Sequence, residues 1–564
     1  MNAVKITICA CLFGAGFLTA KADNTIGINL YESGMYSSSK IYFLKQLNAA
    51  SSPDEKAEAC YYLGKSYLKL ERPDSAAYYF SLGSEISATY PFNNIGTSML
   101  ALAELAKQDA IVNKVEQKAI ETAFKEAIKA DKKNIRLPLA VAEAYAYVKN
   151  YAKAEEYIKL AKKTDAKNGL PYMLEGDILL EQDMEKNRGA AGTKYDNAIY
   201  FSPGLVGAYM KSARIYMVIN GAAALEKLEQ IAAIASDFNG RFQLLGELHE
   251  IQGNSKGAAE HYGRFIEDGY FDEDHLLKYA GILYYDKQYD NVLSTIHQVL
   301  GKYPENLVAN RLHAYALAKT TKGQESVDVL KNFMGNIPAE KIITQDYLCY
   351  AEELEENKQY AEAADYYKKV IQKDPARKQL LQNIGELYTK SQQPDSAIRY
   401  YNLYLDFLGE DNAAIYFQLG RNYYNIAVAD SLETQQEKLQ KADSVFARLT
   451  ELAPASFLSY FWRARINSML DPETTLGLAK PFYEKVIEIA AEQTDRYKRE
   501  LIECYKYLGY YYYVQADAIT AKHNNNASFA RQEYNLTRDY FQKVLDLDPS
   551  DAVAQKAIED IPVK

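Results

Sequence analysis

The side chains able to do chemistry in this chain are few, and their spacing argues against catalysis. Its 564 residues include six histidines: His249, His261, His275, His297, His313 and His523. Zinc hydrolases set two histidines one helical turn apart with a glutamate beside the first. No pair here has that spacing, and His249-Glu250 stands alone. His249 and His297 fall where related stretches of the chain carry aromatics, so packing at the edge of a core is their expected role. There is no glycine-rich loop after a strand to cradle a phosphate. The acidic runs Glu352-Glu353 and Glu355-Glu356 read as a solvated helix face. Cys60, Cys349 and Cys504 are far apart and sit among apolar neighbours, which predicts buried thiols. No metal or cofactor is expected, and the chain reads as a non-enzyme.

The elements that must hold these residues are written twice in succession between 346 and 407. Small Ala351, large Leu354, small Ala363 and aromatic Tyr367 recur 34 residues later as Gly385, Tyr388, Ala397 and Tyr401. Apolar residues at helical period on both sides of a short polar turn predict a helical hairpin for each copy. Asp374-Pro375 separates the copies, because proline disfavours helix at the residue before it. A helix–turn–helix unit of 34 residues with these small and aromatic positions resembles the tetratricopeptide repeat, or TPR. The resemblance implies an all-α protein, a right-handed α-solenoid of about fourteen hairpins.

The same pattern runs along most of the chain. The small first-helix residue falls at Ala142, Gly176, Ala213, Gly246, Gly281, Ala314, Ala351, Gly385 and Gly420, and the second-helix alanine at 154, 191, 258, 363, 397 and 442. The turn Arg72-Pro73-Asp74-Ser75-Ala76 returns as Gln393-Pro394-Asp395-Ser396-Ala397, with Asp or Ser expected to cap the following helix. Residues 95–130 form the least regular unit, where a bend is expected. Insertions at 429–440 and 520–536 should lengthen two late hairpins, and 552–558 should be a final capping helix. The expected organisation is a leader at 1–22, a cap and first units at 23–90, the irregular repeat at 91–134, a central solenoid at 135–456 and C-terminal units at 457–564.

The N-terminus reads as an export signal. Lys5 supplies the charge, 6–18 the apolar run and Ala20-Lys21-Ala22 the small-x-small cleavage site, predicting a mature start at Asp23. Cleavage would remove two lysines and move the formal net charge from −10 to −12, which argues against nucleic acid as partner. No later apolar segment reaches membrane-spanning length. The chain carries 49 tyrosines against 20 phenylalanines and one tryptophan, a composition suited to thin structures with much boundary between core and water.

By the resemblance, the groove of such a stack is lined by the second, fifth, ninth and twelfth residues of each unit, counting the small residue as eighth. The Lys/Asn pair with which one TPR subclass grips a peptide C-terminus is absent: fifth and ninth residues read Tyr61/Lys65, Leu139/Glu143, Met173/Asp177, Lys278/Ile282, Arg311/Tyr315 and Gln382/Glu386. The projection gives the middle of the groove an acidic character, with Asp177, Glu247, Glu250, Glu352, Glu355 and Glu386 relieved by Arg214, Lys278 and Arg311. Towards the C-terminus it gives Phe417, Arg421, Tyr424, Phe461, Arg465, Lys506, Tyr510 and Tyr513, types that dominate interface hot spots. Neither Arg421 nor Arg465 is expected to hold helices together. This face is the expected site for a protein partner, through an acidic or C-terminal segment. The function implied is a non-catalytic scaffold for protein–protein interaction in a bacterial envelope, most simply in the periplasm, with an outer-membrane-associated or secreted protein as variants. The alternative is a surface or periplasmic binder of carbohydrate or peptide through the tyrosine-rich groove.

Overall fold

In a computed structural model, residues 24–107, 114–429 and 432–562 are described. The expected leader at 1–22 lies outside them. Among the described residues there is no strand, and every regular element is helical. The chain divides into two compact units, the first running to Thr320 and the second starting at Thr321. This division falls inside the stretch 135–456.

Among the described residues the first unit holds eight complete hairpins, from Thr25–Glu32 with Tyr36–Ala49 to Glu273–Tyr285 with Tyr289–Leu300, followed by the helix Leu307–Thr320. The second opens with Gln324–Gly335, holds five complete hairpins from Thr344–Glu356 with Tyr360–Lys373 onward, and ends in the helix Ala552–Glu559. The two helices flanking the division make a fourteenth pair in sequence order.

Five hairpins are closed by the same small set of contacts. The turn between their helices places a residue in the left-handed region: Glu71, Lys149, Lys287, Lys358 and Gln392 all have φ near +60°. The next residue's N–H returns to a carbonyl of the first helix, as in Arg72 to Tyr67 (2.8 Å), Asn150 to Tyr145 (2.9 Å) and Gln393 to Tyr388 (2.9 Å). This satisfies a carbonyl that the helix end would leave unpaired. Asp74 and Ser75 therefore do not cap: Pro73 occupies the first helical position and Asp74 the first turn, and the same holds at Pro394.

The small first-helix residue is a seat for an aromatic ring from the second helix. A Cβ added at Gly64 would lie 2.4 Å from Phe80, at Gly176 2.5 Å from Tyr195, at Gly385 2.8 Å from Tyr401, and at Gly420 2.6 Å from Phe446. The second-helix alanines Ala154, Ala191, Ala363, Ala397 and Ala442 are all fully buried. One unit departs from the expected register. Gly281 has open space where a side chain would be, while its neighbour Ala280 is fully buried, so Ala280 is the packing residue there. Ile282, projected into the groove, is in consequence buried.

The two insertions lengthen their helices. Ala413–Ala429 and Leu432–Leu452 have 17 and 21 residues, and Lys498–Lys522 has 25. The last extension carries its own small core of Ala516, Ala530 and Tyr534, closed by Ile561. Cys60, Cys349 and Cys504 are buried thiols in no disulfide among the described residues, and burial pushes the Cys60 thiol up to about 11, so it stays protonated.

Candidate binding surfaces

The helices Ala413–Ala429, Phe457–Leu470 and Lys498–Lys522 position the aromatic and cationic residues projected onto the C-terminal groove. Five of them form one continuous run. Phe417 meets Phe446 edge-on at 6.1 Å, Phe446 stacks on Trp462 at 5.7 Å, and Trp462 meets Tyr424 at 5.1 Å. Arg421 reaches over Phe417 at 5.9 Å, and Arg465 over Phe461 at 4.4 Å and Trp462 at 5.7 Å. Lys506 and Tyr510 line a neighbouring cavity of about 510 Å³ with Glu503, Tyr483 and Tyr507. Tyr513 stands apart, against Tyr534 in the core of the extended hairpin.

Two of the three cations are already engaged. Arg465 makes a two-pronged pair with Glu503, at 2.8 and 2.6 Å, and this hydrogen bonding raises its pKa further. It therefore does join neighbouring helices, contrary to expectation. Lys506 pairs with Asp551, at the start of the last helix. Arg421 is exposed and has no carboxylate partner among the described residues.

The first unit holds a second surface, which the sequence projection did not single out. Its inner face encloses a cavity of about 460 Å³. Ninth residues of four units line it (Lys65, Glu143, Asp177 and Arg214), as do fifth residues (Tyr61, Leu139 and Met173). The remaining wall is the first hairpin, expected to be a simple cap. Its helix Thr25–Glu32 packs against Val206–Ile219, five hairpins further on, and brings Tyr31, Glu32, Ser33 and Tyr36 to the cavity. Lys45 donates to the Gly269 carbonyl at 3.0 Å, Tyr42 meets Tyr270 at 5.1 Å, and Ser37 hydrogen-bonds Asp272.

Four of the five cations that line this cavity are matched pair by pair with its four acids. Lys65 meets Glu143 at 2.6 Å, Lys69 meets Glu181 at 2.8 Å, Arg136 meets Glu32 at 2.7 Å, and Lys211 meets Asp177 at 2.5 Å. The Lys65 ammonium also sits over Tyr31 at 4.3 Å and Tyr61 at 5.3 Å; burial lowers its pKa and Glu143 opposes that shift. Further along, Arg214 faces Glu247 at 3.7 Å and Lys278 faces Glu250 at 2.5 Å, so the acidic middle of the groove is partly neutralised. Opposite charges at groove positions of adjacent units are the sequence signal for these last two pairs.

His249 stacks on His261 at 4.9 Å, as edge packing predicts, while His297 is exposed. No group of three or more metal-ligating side chains occurs among the described residues. No helix among them is long and apolar enough to cross a membrane.

Comparison with known proteins agrees with this architecture. Residues 354–422 match the tetratricopeptide repeat family model. No curated protein matches the chain. Among solved structures, the C-terminal part of a TPR repeat-containing protein from Cytophaga hutchinsonii is 25% identical, over 50% of this chain and 99% of that one, with a TM-score of 0.37. PilW, a type IV pilus biogenesis factor, is 17% identical over 38% of this chain and 97% of its own, with a TM-score of 0.30. PilF of Pseudomonas aeruginosa is 17% identical over 40% and 98%, with a TM-score of 0.30.

Proposed function

We propose that this chain of TPR-like hairpins is a non-catalytic scaffold that holds protein partners in a bacterial cell envelope, with its C-terminal aromatic face as the main partner site. Stacked hairpins present inner-face residues from many units at once, and protein partners are what such surfaces suit. The observation that carries the placement is Arg421, an exposed cation without an ion-pair partner among the described residues, beside the run Phe417, Phe446, Trp462 and Tyr424. An arginine over an aromatic platform can pair with a carboxylate while the rings bury apolar area. A segment ending in, or rich in, carboxylates is the matching ligand; Glu503 already plays that part for Arg465 within the chain. The envelope assignment rests on Lys5, the apolar run 6–18 and Ala20-Lys21-Ala22.

The test combines fractionation with crosslinking. A photo-crosslinker at 421 in the intact cell should yield an adduct with an envelope protein, and the mature N-terminus should be Asp23. Recovery of full-length protein starting at Met1 from the cytoplasm would overturn the compartment. An adduct formed from position 200, on the first unit, but not from 421 would overturn the site.

A further inference from the structure

The cavity of the first unit is not needed for a partner bound on the second, yet it has the dimensions and lining of a ligand site. At about 460 Å³ it falls within the roughly 300–1,000 Å³ of small-molecule pockets, and its lining mixes aromatic rings with a few placed polar groups. We propose that it binds an uncharged, hydroxyl-rich ligand, a mono- or disaccharide, between its paired charges.

Two observations lead there. First, every acid in the lining already has a cation at 2.5–2.8 Å: Glu143 has Lys65, Glu181 has Lys69, Glu32 has Arg136 and Asp177 has Lys211. A ligand with net charge would take one member of a pair and strand the other in a poorly solvated place. A hydroxyl strands neither. It has one proton to give and two lone pairs, so it can donate to the carboxylate and accept from the ammonium at once. Second, Tyr31, Tyr36 and Tyr61 keep their phenol protons, because burial raises all three, and so add neutral groups that both donate and accept.

The first hairpin is therefore part of the site as well as a cap, since it supplies Tyr31, Glu32, Ser33 and Tyr36. This goes beyond the scaffold reading and does not depend on it.

Calorimetry and saturation-transfer NMR on the full chain test the inference with defined probes. Maltose, cellobiose and diacetylchitobiose are the neutral set; glucuronic acid, glucosamine and dialanine are the charged and zwitterionic set. The expected result is binding of at least one neutral disaccharide, with glucuronic acid and glucosamine at least tenfold weaker and dialanine no tighter. Tyr36→Phe, which removes a phenol hydroxyl of the lining and keeps the ring, should weaken that disaccharide by at least fivefold. Lys65→Met combined with Glu143→Gln, which removes one pair without leaving a bare charge, should do the same. Circular dichroism shows whether each variant folds, and Tyr36→Phe decides alone if the double variant does not. Tighter binding of a charged or zwitterionic probe, no binding of any neutral one, or unchanged affinity in Tyr36→Phe overturns the proposal.

Discussion

Replacing Gly207 by alanine tests the closure of the first unit by its own N-terminal hairpin. A Cβ there would lie 2.7 Å from the Glu32 Cβ and 2.9 Å from its carbonyl carbon and oxygen. Carbon pairs rest at about 3.5–4.0 Å, so the helix Thr25–Glu32 must move off Val206–Ile219 by about 1 Å. The obstacle includes backbone, and no change of rotamer removes it. Overpacking of this kind costs roughly 1–3 kcal/mol. The displacement also loosens the 2.7 Å pair of Glu32 with Arg136, whose loss would leave a buried carboxylate alone. A local destabilisation of about 2–4 kcal/mol follows. Hydrogen exchange is the suitable assay, because a repeat array opens in parts and a single melting temperature averages them. Amides of Thr25–Glu32 should exchange at least about 30-fold faster, the factor equivalent to roughly 2 kcal/mol, while those of Tyr360–Lys373 keep their rates. Gly189→Ala is the control: open space surrounds that helical position, and it should be neutral or stabilising by about 0.5–1 kcal/mol. Unchanged protection of Thr25–Glu32 in Gly207→Ala would refute the closure.

Three further outcomes follow from the packing. Arg465→Ala should lower stability in urea by roughly 1–2 kcal/mol, because it takes both guanidinium hydrogen bonds from Glu503 and leaves only that from Tyr483, whereas Arg465→Met with Glu503→Gln should recover most of the loss; the pair is about one-third exposed, which limits the effect. Asp471→Ala should cost about 3 kcal/mol by denaturation, since this buried carboxylate accepts backbone N–H groups of Thr475, Leu476 and Gly477 and so shapes the loop before Lys480–Ala490. Acid should weaken the first unit in two stages, read by exchange against pH. Burial, and then the neighbouring His261, hold the His249 pKa low, so below about pH 6.5 the unfolded chain binds a proton that the folded one resists, and stability falls. Burial would raise Asp272, but hydrogen bonds from His275 and Ser37 outweigh it and hold its pKa low. Its contribution is complete above about pH 4 and is lost as pH drops further.

The repeat was legible because each hairpin solves the same packing problem with the same residues. A small residue in the first helix and an aromatic in the second must meet, as Gly385 and Tyr401 do, so their spacing recurs and the hairpins can be placed from it. Legibility failed where two neighbours satisfy the rule equally. Ala280 and Gly281 are both small, and only the burial around them selects Ala280. The capping residues at Pro73 and Pro394 were misread because the left-handed residue ahead of the proline closes the turn without a side-chain acceptor. The cavity was hidden for a different reason. Its closing contacts join residues as distant as Lys45 and Gly269, or Glu32 and Arg136, and no period of about 34 residues encodes them. At the C-terminal face, reading each unit separately set Arg465 in the groove as a free charge. Reading adjacent units together would have paired it with Glu503, the second residue of the next unit.

The affinity of the crosslinked partner, or of its acidic segment, for the purified chain and for Arg421→Ala tests the scaffold account most directly. Arg421 touches Phe417 and no carboxylate among the described residues, so its removal should leave the fold intact by circular dichroism and melting. The account predicts a loss of at least about 2 kcal/mol, roughly 30-fold in Kd, of the size expected for an interface hot spot. Equal affinity of the folded variant and the parent chain would contradict it.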